Sequence, residues 1–243
     1  MLEGMYSAAA GMAAQQQRID AVSNDLANVN TTGYKRVRVA FRDLLYTPTG
    51  PGAVRGVASG AGAAAVQLGR GLANGTVQDT GRPLDIALDG TGFLEVRKGN
   101  QRLLTRDGSL QRTDDGRLVT STGAFTGVTV PANVQDADIK IRPDGSVTGP
   151  NGVLGRLRVV TVRAPEGLEA RGDNLFAATA ASGQPAAARA GVVGVKQSAL
   201  EASNVELATA MTDLIEAQRG YEMASKAINT QERLLEIANG LKR

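Results

Sequence analysis

Apolar and small residues recur in steps of three and four at both ends of the chain, and in steps of two through its middle. Over 202–243 the positions Leu207, Met211, Leu214, Ala217, Tyr221, Ala224, Ile228, Leu235 and Ala238 form one stripe, which Gln231 interrupts. That period belongs to an α-helix with a single apolar face. No proline breaks the run, and Ser203 followed by Glu206 reads as a capping box at its start. Roughly 37 residues at 1.5 Å each would make a rod about 55 Å long. So narrow an apolar face needs another helix beside it. Residues 3–29 repeat the rhythm at Met5, Ala9, Met12, Gln16, Ile19, Val22 and Leu26. Gly4 and Gly11 each cost a free helix about 1 kcal/mol relative to alanine, so this second helix depends on a partner.

The first helix should stop in the polar cluster 28–33, where Gly33 suits a positive φ. Residues 34–41 alternate in part, and 41–46 fit either a helical turn or a strand. The stretch 47–75 is loaded with Gly, Pro and Ala, the composition of an extended arm with little core of its own. From about Val77 to Ala178 the period is two, predicting strands at 84–88, 93–97, 103–105, 109–112, 117–120, 128–130, 139–142, 157–163 and 174–177. Asp89-Gly90, Gly99-Asn100, Asp107-Gly108, Asp115-Gly116, Asp144-Gly145 and Asn151-Gly152 punctuate them as turns. Frequent turns between short strands argue an antiparallel barrel or sandwich. The expected fold class is therefore α+β. A terminal helical coiled-coil domain is formed by 1–32 and 199–243, extended arms by 33–76 and 179–198, and an inserted antiparallel β-rich domain by 77–178.

Composition narrows the chemistry. The 243 residues contain no His, Cys or Trp, and aromatics are 3%. The commonest general base, zinc ligands and thiol nucleophile are thus missing together. The net charge of +3 divides into −2 over 1–30, −2 over 201–243 and +7 between them, without a Lys/Arg block or interleaved aromatics. Nucleic-acid binding is not expected. The N-terminus lacks the basic region of a signal peptide, and no apolar run approaches the 18–20 residues of a membrane span. Gly60, Gly62 and Ala65 only faintly match a dinucleotide fingerprint, since Pro51 and Gly56 occupy the place of the required strand. The Asp-Gly pairs lack calcium-loop spacing. Asp85 and Asp89 flank one strand and read as solvated strand ends. Glu222 and Lys226 stand at i, i+4, a solvated helix face or a register-setting one. No catalytic, cofactor-binding or metal-binding residues are expected, and the protein is not expected to be an enzyme.

Several segments resemble one family. The run from Asn24 and Asp25 through Leu26, Ala27, Asn28, Thr31, Gly33, Tyr34 and Lys35 resembles the N-terminal signature of the flagellar basal-body rod and hook proteins. Asp25 stands where that signature usually has a second Asn. Residues 199–206 and 215–227 resemble the C-terminal signature, and Leu84-Asp-Ile-Ala-Leu-Asp-Gly-Thr-Gly-Phe93 and Thr105-Arg-Asp-Gly-Ser109 resemble the family's middle segment. Within the family, Phe41-Arg-Asp-Leu-Leu-Tyr46 and the length favour the distal rod type, with proximal rod and hook types as alternatives.

The resemblance implies a non-enzymatic structural subunit in the flagellar basal body, exported by the type III apparatus without a cleaved leader. It implies a helical homopolymer that meets other rod proteins, the hook protein and, where present, envelope ring proteins, without membrane insertion. Met5, Ala9, Met12, Ile19, Leu26, Leu207, Met211, Leu214, Tyr221, Ile228 and Leu235 are the candidate self-assembly interface. The rival from another class is a secreted β-domain binding module or hydrolase carried on a simple helical hairpin.

Overall fold

A computed structural model describes residues 2–44, 47–48, 58–60, 62–189 and 191–240. The expectations for Leu45 and Tyr46, and for most of the Gly/Pro-rich stretch 49–57, lie outside the described residues. The chain divides into two compact units. One holds the described residues of Met1–Ala27, Val37–Leu68 and Glu206–Arg243, and the other holds Asn28–Arg36 and Gly69–Val205.

The first unit is built on two long helices, α1 (Leu2–Ala27) and α2 (Leu207–Gly240), which pack against each other. Helix α2 begins three residues later than the Ser203 capping box predicts. Ser203 Oγ instead accepts from the Val205 amide at 3.2 Å, and the first helical amide bond runs from Ala210 to the Glu206 carbonyl at 2.9 Å. Residue 206 is therefore the cap. The extended segment expected after Gly33 is the strand Val37–Asp43, which pairs with Ala63–Arg70. The Asp25 carboxylate at the end of α1 accepts from the Val37 amide at 3.0 Å and ties that strand to the helix.

The second unit is antiparallel throughout its described pairings. Its main sheet runs Glu169–Ala170, Leu175–Ala177, Gln101–Thr105, Phe93–Lys98, Phe125–Thr129, Arg117–Thr120 and Leu110–Arg112 in spatial order. A three-stranded sheet of Lys140–Ile141, Ser146–Gly149 and Gly152–Arg156 adds to it. Alternation along Phe93–Lys98 sends Leu94 and Val96 into a large core with Leu110, Leu118, Val128, Ile139, Val147 and Leu157, all fully buried. Phe93 points to the opposite face and joins Leu104, Val160, Val162 and Phe176 in a smaller cluster, where Phe93 meets Phe176 edge to face at 6.0 Å. The segment expected as a second arm carries strand Gly194–Gln197, which pairs with Ile86–Asp89. Ala199–Glu201, expected within the last helix, is instead a strand on Val77–Asp79.

Candidate assembly interface

The helix pair is closed by small residues. Ala14, Ala21, Ala210 and Ala217 are buried. Arg18 binds Asp213 at 2.8 Å and Glu216 at 3.1 Å. The side chain of Gln15 lies on Gly220, and that of Gln231 lies on Gly4. A Cβ added at Gly220 would sit 2.9 Å from Gln15 Nε2, and one at Gly4 would sit 2.5 Å from Gln231 Nε2. These two reciprocal contacts make the pair antiparallel and set its register. The Gln231 contact also accounts for Gly4, where a side chain would hold the helices apart, whereas a Cβ at Gly11 would meet no atom within 4 Å. The polar interruption of the α2 stripe is thus a packing contact, although the Oε1 atoms of Gln15 and Gln231 are buried without a hydrogen-bond partner.

The candidate interface residues divide into two sets around this seam. On α2, Leu214, Ile228 and Leu235 are half-buried on the same face as Ala210, Ala217 and Gln231. Leu207 and Met211, each 50% exposed, and Tyr221, 38% exposed, stay more open to solvent, together with Ile215, Met223, Leu234 and Ile237. On α1 the seam runs through Gly4, Ala14, Arg18, Ala21 and Asp25, one residue or about 100° from the apolar stripe legible in the sequence. Met5, Met12, Ile19 and Leu26 consequently flank the seam half-buried, and Ala9 is exposed. The fully buried positions of the seam are small residues, and most large apolar side chains of α2 stay exposed.

The signature residues have another role. Asn24, Leu26 and Ala27 belong to the end of α1. Asn28 accepts from the Thr31 amide and hydroxyl at 3.1 and 3.2 Å, forming the turn that ends the helix run. Gly33, Tyr34 and Lys35 are buried in the β unit. There the Lys35 ammonium donates to Glu201 Oε1 at 2.6 Å and to the Ala73 carbonyl at 2.7 Å. Arg106 Nη1 donates to the other oxygen of Glu201 at 3.0 Å, and Nη2 to the Gly90 carbonyl at 2.6 Å. The Gly75 amide adds a further bond to Glu201 at 2.9 Å. All three charged side chains are 1% exposed or less. Burial pulls the Lys35 amine below its ordinary pKa, against the opposing pull of Glu201. Asn204 ties the strands around them, donating to the carbonyls of Gly71 and Ala73 and accepting from the Arg36 amide. Gly33 has φ +66, and a Cβ there would lie 2.5 Å from the Arg106 backbone. Only glycine fits.

Lys35, Arg106 and Glu201 therefore form one buried clasp drawn from three distant segments. Sequence reasoning named Lys35 and quoted the segments around the other two without assigning them a role. The available signal was charge inside apolar surroundings, as in Ala199-Leu200-Glu201-Ala202.

The remaining candidates have local explanations. Asp85 is buried, 1% exposed, and accepts from the Thr80 hydroxyl at 2.8 Å, so it is not the solvated strand end that its sequence suggested. Asp144 accepts from the Ser146 hydroxyl and amide, bonds that hold its carboxyl below the usual range. After Gly62 the chain enters strand Ala63–Arg70, where a dinucleotide fingerprint would require a helix. Among the described residues no cluster of three metal-ligating acids occurs, and no helix is long and apolar enough to cross a membrane.

The class of protein is thus two long terminal helices that expose large apolar residues, with an antiparallel β unit locked by buried charge between them in the sequence. Comparison with known proteins gives the class its family. Residues 5–35 match the description "Flagella basal body rod protein", 87–149 match "Flagellar hook protein FlgE/F/G D1 domain", and 196–241 match "Flagellar basal body rod FlgEFG protein C-terminal". The chain is 36% identical to the flagellar basal-body rod protein FlgG of Caulobacter vibrioides, covering 99% of this chain and all of that one. It is 37% identical to the FlgG of Borreliella burgdorferi and 34% to that of Bacillus subtilis, each over the full length of both chains. The chain belongs to the flagellar basal-body rod protein family, whose members are structural rather than enzymatic. The three matched segments supply the three charges of the clasp: Lys35, Arg106 and Glu201.

Proposed function

We propose that this chain is the distal rod subunit of the flagellar basal body. It polymerises helically through α1 and α2 into a hollow shaft that carries torque to the hook. The observation that supports this most directly is the outer surface of α2. There Leu207, Met211, Ile215, Tyr221, Met223, Leu234 and Ile237 are all more than a third exposed, which is costly for a monomer in water and favourable once another copy covers it. A contact between two different patches does not close on itself and extends into a tube. Its neighbours along the axis are other rod proteins and the hook protein, with envelope ring proteins around it where they exist. Export proceeds through the flagellar type III apparatus.

Complementation of a deletion strain tests the reading. The full chain should restore motility and hook-bearing basal bodies, whereas a variant lacking 2–25 should restore neither. Restored swimming by the truncated variant would overturn it.

A further inference from the structure

The outer face of the main β sheet carries a charge arrangement that the helix contact does not use. Arg97 and Arg102 stand directly opposite each other on adjacent antiparallel strands, and both are exposed. Like charges so placed oppose strand pairing. Arg158 lines the same cleft as these two. The one carboxylate among them is Glu95, 3.4 Å from Arg158 and 4.0 Å from Arg102. Arg102 and Arg158 thus share one acid, and Arg97 has no ion pair among the described residues. That cleft has a volume of about 230 Å³ and is lined by Glu95, Arg97, Arg102, Phe125, Gly127 and Arg158. Gly127 leaves its floor open: a Cβ there would meet no atom within 4 Å.

The same unit presents the complementary charge elsewhere. Asp114 and Asp115 are exposed at the turn joining Leu110–Arg112 to Arg117–Thr120. Neither carboxylate has a partner among the described residues. The turn is fixed by Gly116 N donating to Thr113 O at 2.8 Å and Thr113 N to Arg117 O at 3.0 Å. A Cβ on Gly116 would lie 2.2 Å from the Val130 carbonyl, so the tip is a rigid part of the fold. Two carboxylates on a stiff projection match forked guanidinium donors around an open cleft.

We propose that the arginine face receives the Asp114–Asp115 tip of a second copy of this chain. The proposal rests on the rod-subunit reading and adds to it an intersubunit contact on the β unit. Face and tip are different patches, so the contact is heterologous and adds copies in one direction, as a helical polymer needs.

The test uses the purified full-length chain, with polymer measured by sedimentation near physiological salt. R97E/R102E and D114K/D115K should each raise the concentration needed for assembly about tenfold or more, and combining them should restore it toward wild type. The neutral R97Q/R102Q should shift assembly in the same direction by less, which guards against a folding defect in the reversed variant. Thermal melts of the monomers should coincide. Reversal variants that assemble like wild type overturn the contact, as do losses that the combined reversal fails to rescue. If the arginine variant alone loses assembly, another acidic occupant replaces the tip and the pairing is overturned. Wild type that forms no polymer, under conditions where deletion of 2–25 changes nothing, would instead sink the rod-subunit reading.

Discussion

The helix pair and the β unit solve opposite problems with the same chain. In the β unit, large side chains go inside. Leu, Ile, Val and Phe residues fill two cores, and even a lysine, an arginine and a glutamate are sealed from water. In the helix pair, alanines are buried and the large residues stay outside. Seven of the fourteen exposed large hydrophobic side chains among the described residues lie on α2 alone. The difference separates a part whose large apolar side chains are covered within the chain from one whose large apolar side chains are left in water. Hydrophobic burial stabilises in proportion to the apolar area removed from water, so an alanine seam contributes little and the β cores contribute most.

The clasp offers the largest break in that contrast. Glu201→Ala leaves two cations buried without their counter-ion and should cost the β unit about 3–5 kcal/mol. The expected readout is a lower denaturant midpoint with an unchanged m-value. A midpoint within error of wild type would remove the clasp from the account of stability.

Next comes the seam. Ala217→Leu forces a branched side chain between α1 and α2 and should destabilise the pair by about 1–3 kcal/mol. Helical circular dichroism should melt earlier while the β core keeps its hydrogen-exchange protection. Simultaneous loss of both would show that the two units do not melt independently.

The pH response of the clasp is smaller and has a definite sign. The folded Lys35 amine has a lowered pKa because burial disfavours its charge. As pH rises through the folded value toward the ordinary one, the folded state releases a proton that the unfolded state still holds. Stability relative to Lys35→Met should therefore increase with pH across that window. Paired unfolding titrations in alkaline buffer measure it, and a gap that narrows contradicts the assignment.

The smallest expected effect on the monomer is the most telling for the helices. Met211→Ser with Ile215→Ser should shift monomer stability by no more than about 0.5 kcal/mol at each site, yet suppress polymer in sedimentation. A large monomer effect would mean these side chains already have a partner within the chain.

Much of this was legible in the sequence, and the misses share a cause. The two long helices follow from their period, and the main strands from alternation and Asp-Gly turns. The hairpin of Ser146–Gly149 and Gly152–Arg156 escaped because its glycines dilute the apolar pattern. Ala199-Leu200-Glu201 looks helical by propensity, but Glu201 is drawn into the clasp and the segment pairs as a strand. Tertiary context overrides a weak local preference there. The α1 stripe was displaced by one residue because large apolar side chains mark periodicity most clearly, while this seam selects the smallest. Glycine and alanine carry the contact but almost none of the pattern.

One consequence of the clasp concerns the order in which the chain can fold. Lys35 and Glu201 are separated by 166 residues, and Arg106 and Glu201 by 95. Bringing such distant residues together costs loop entropy before any contact repays it, so closure is a late, slow step. A chain that emerges from its N-terminus presents Lys35 and Arg106 first, as two like charges whose counter-ion has not yet appeared. The clasp of a growing chain therefore stays open until Ala199–Glu201 has emerged.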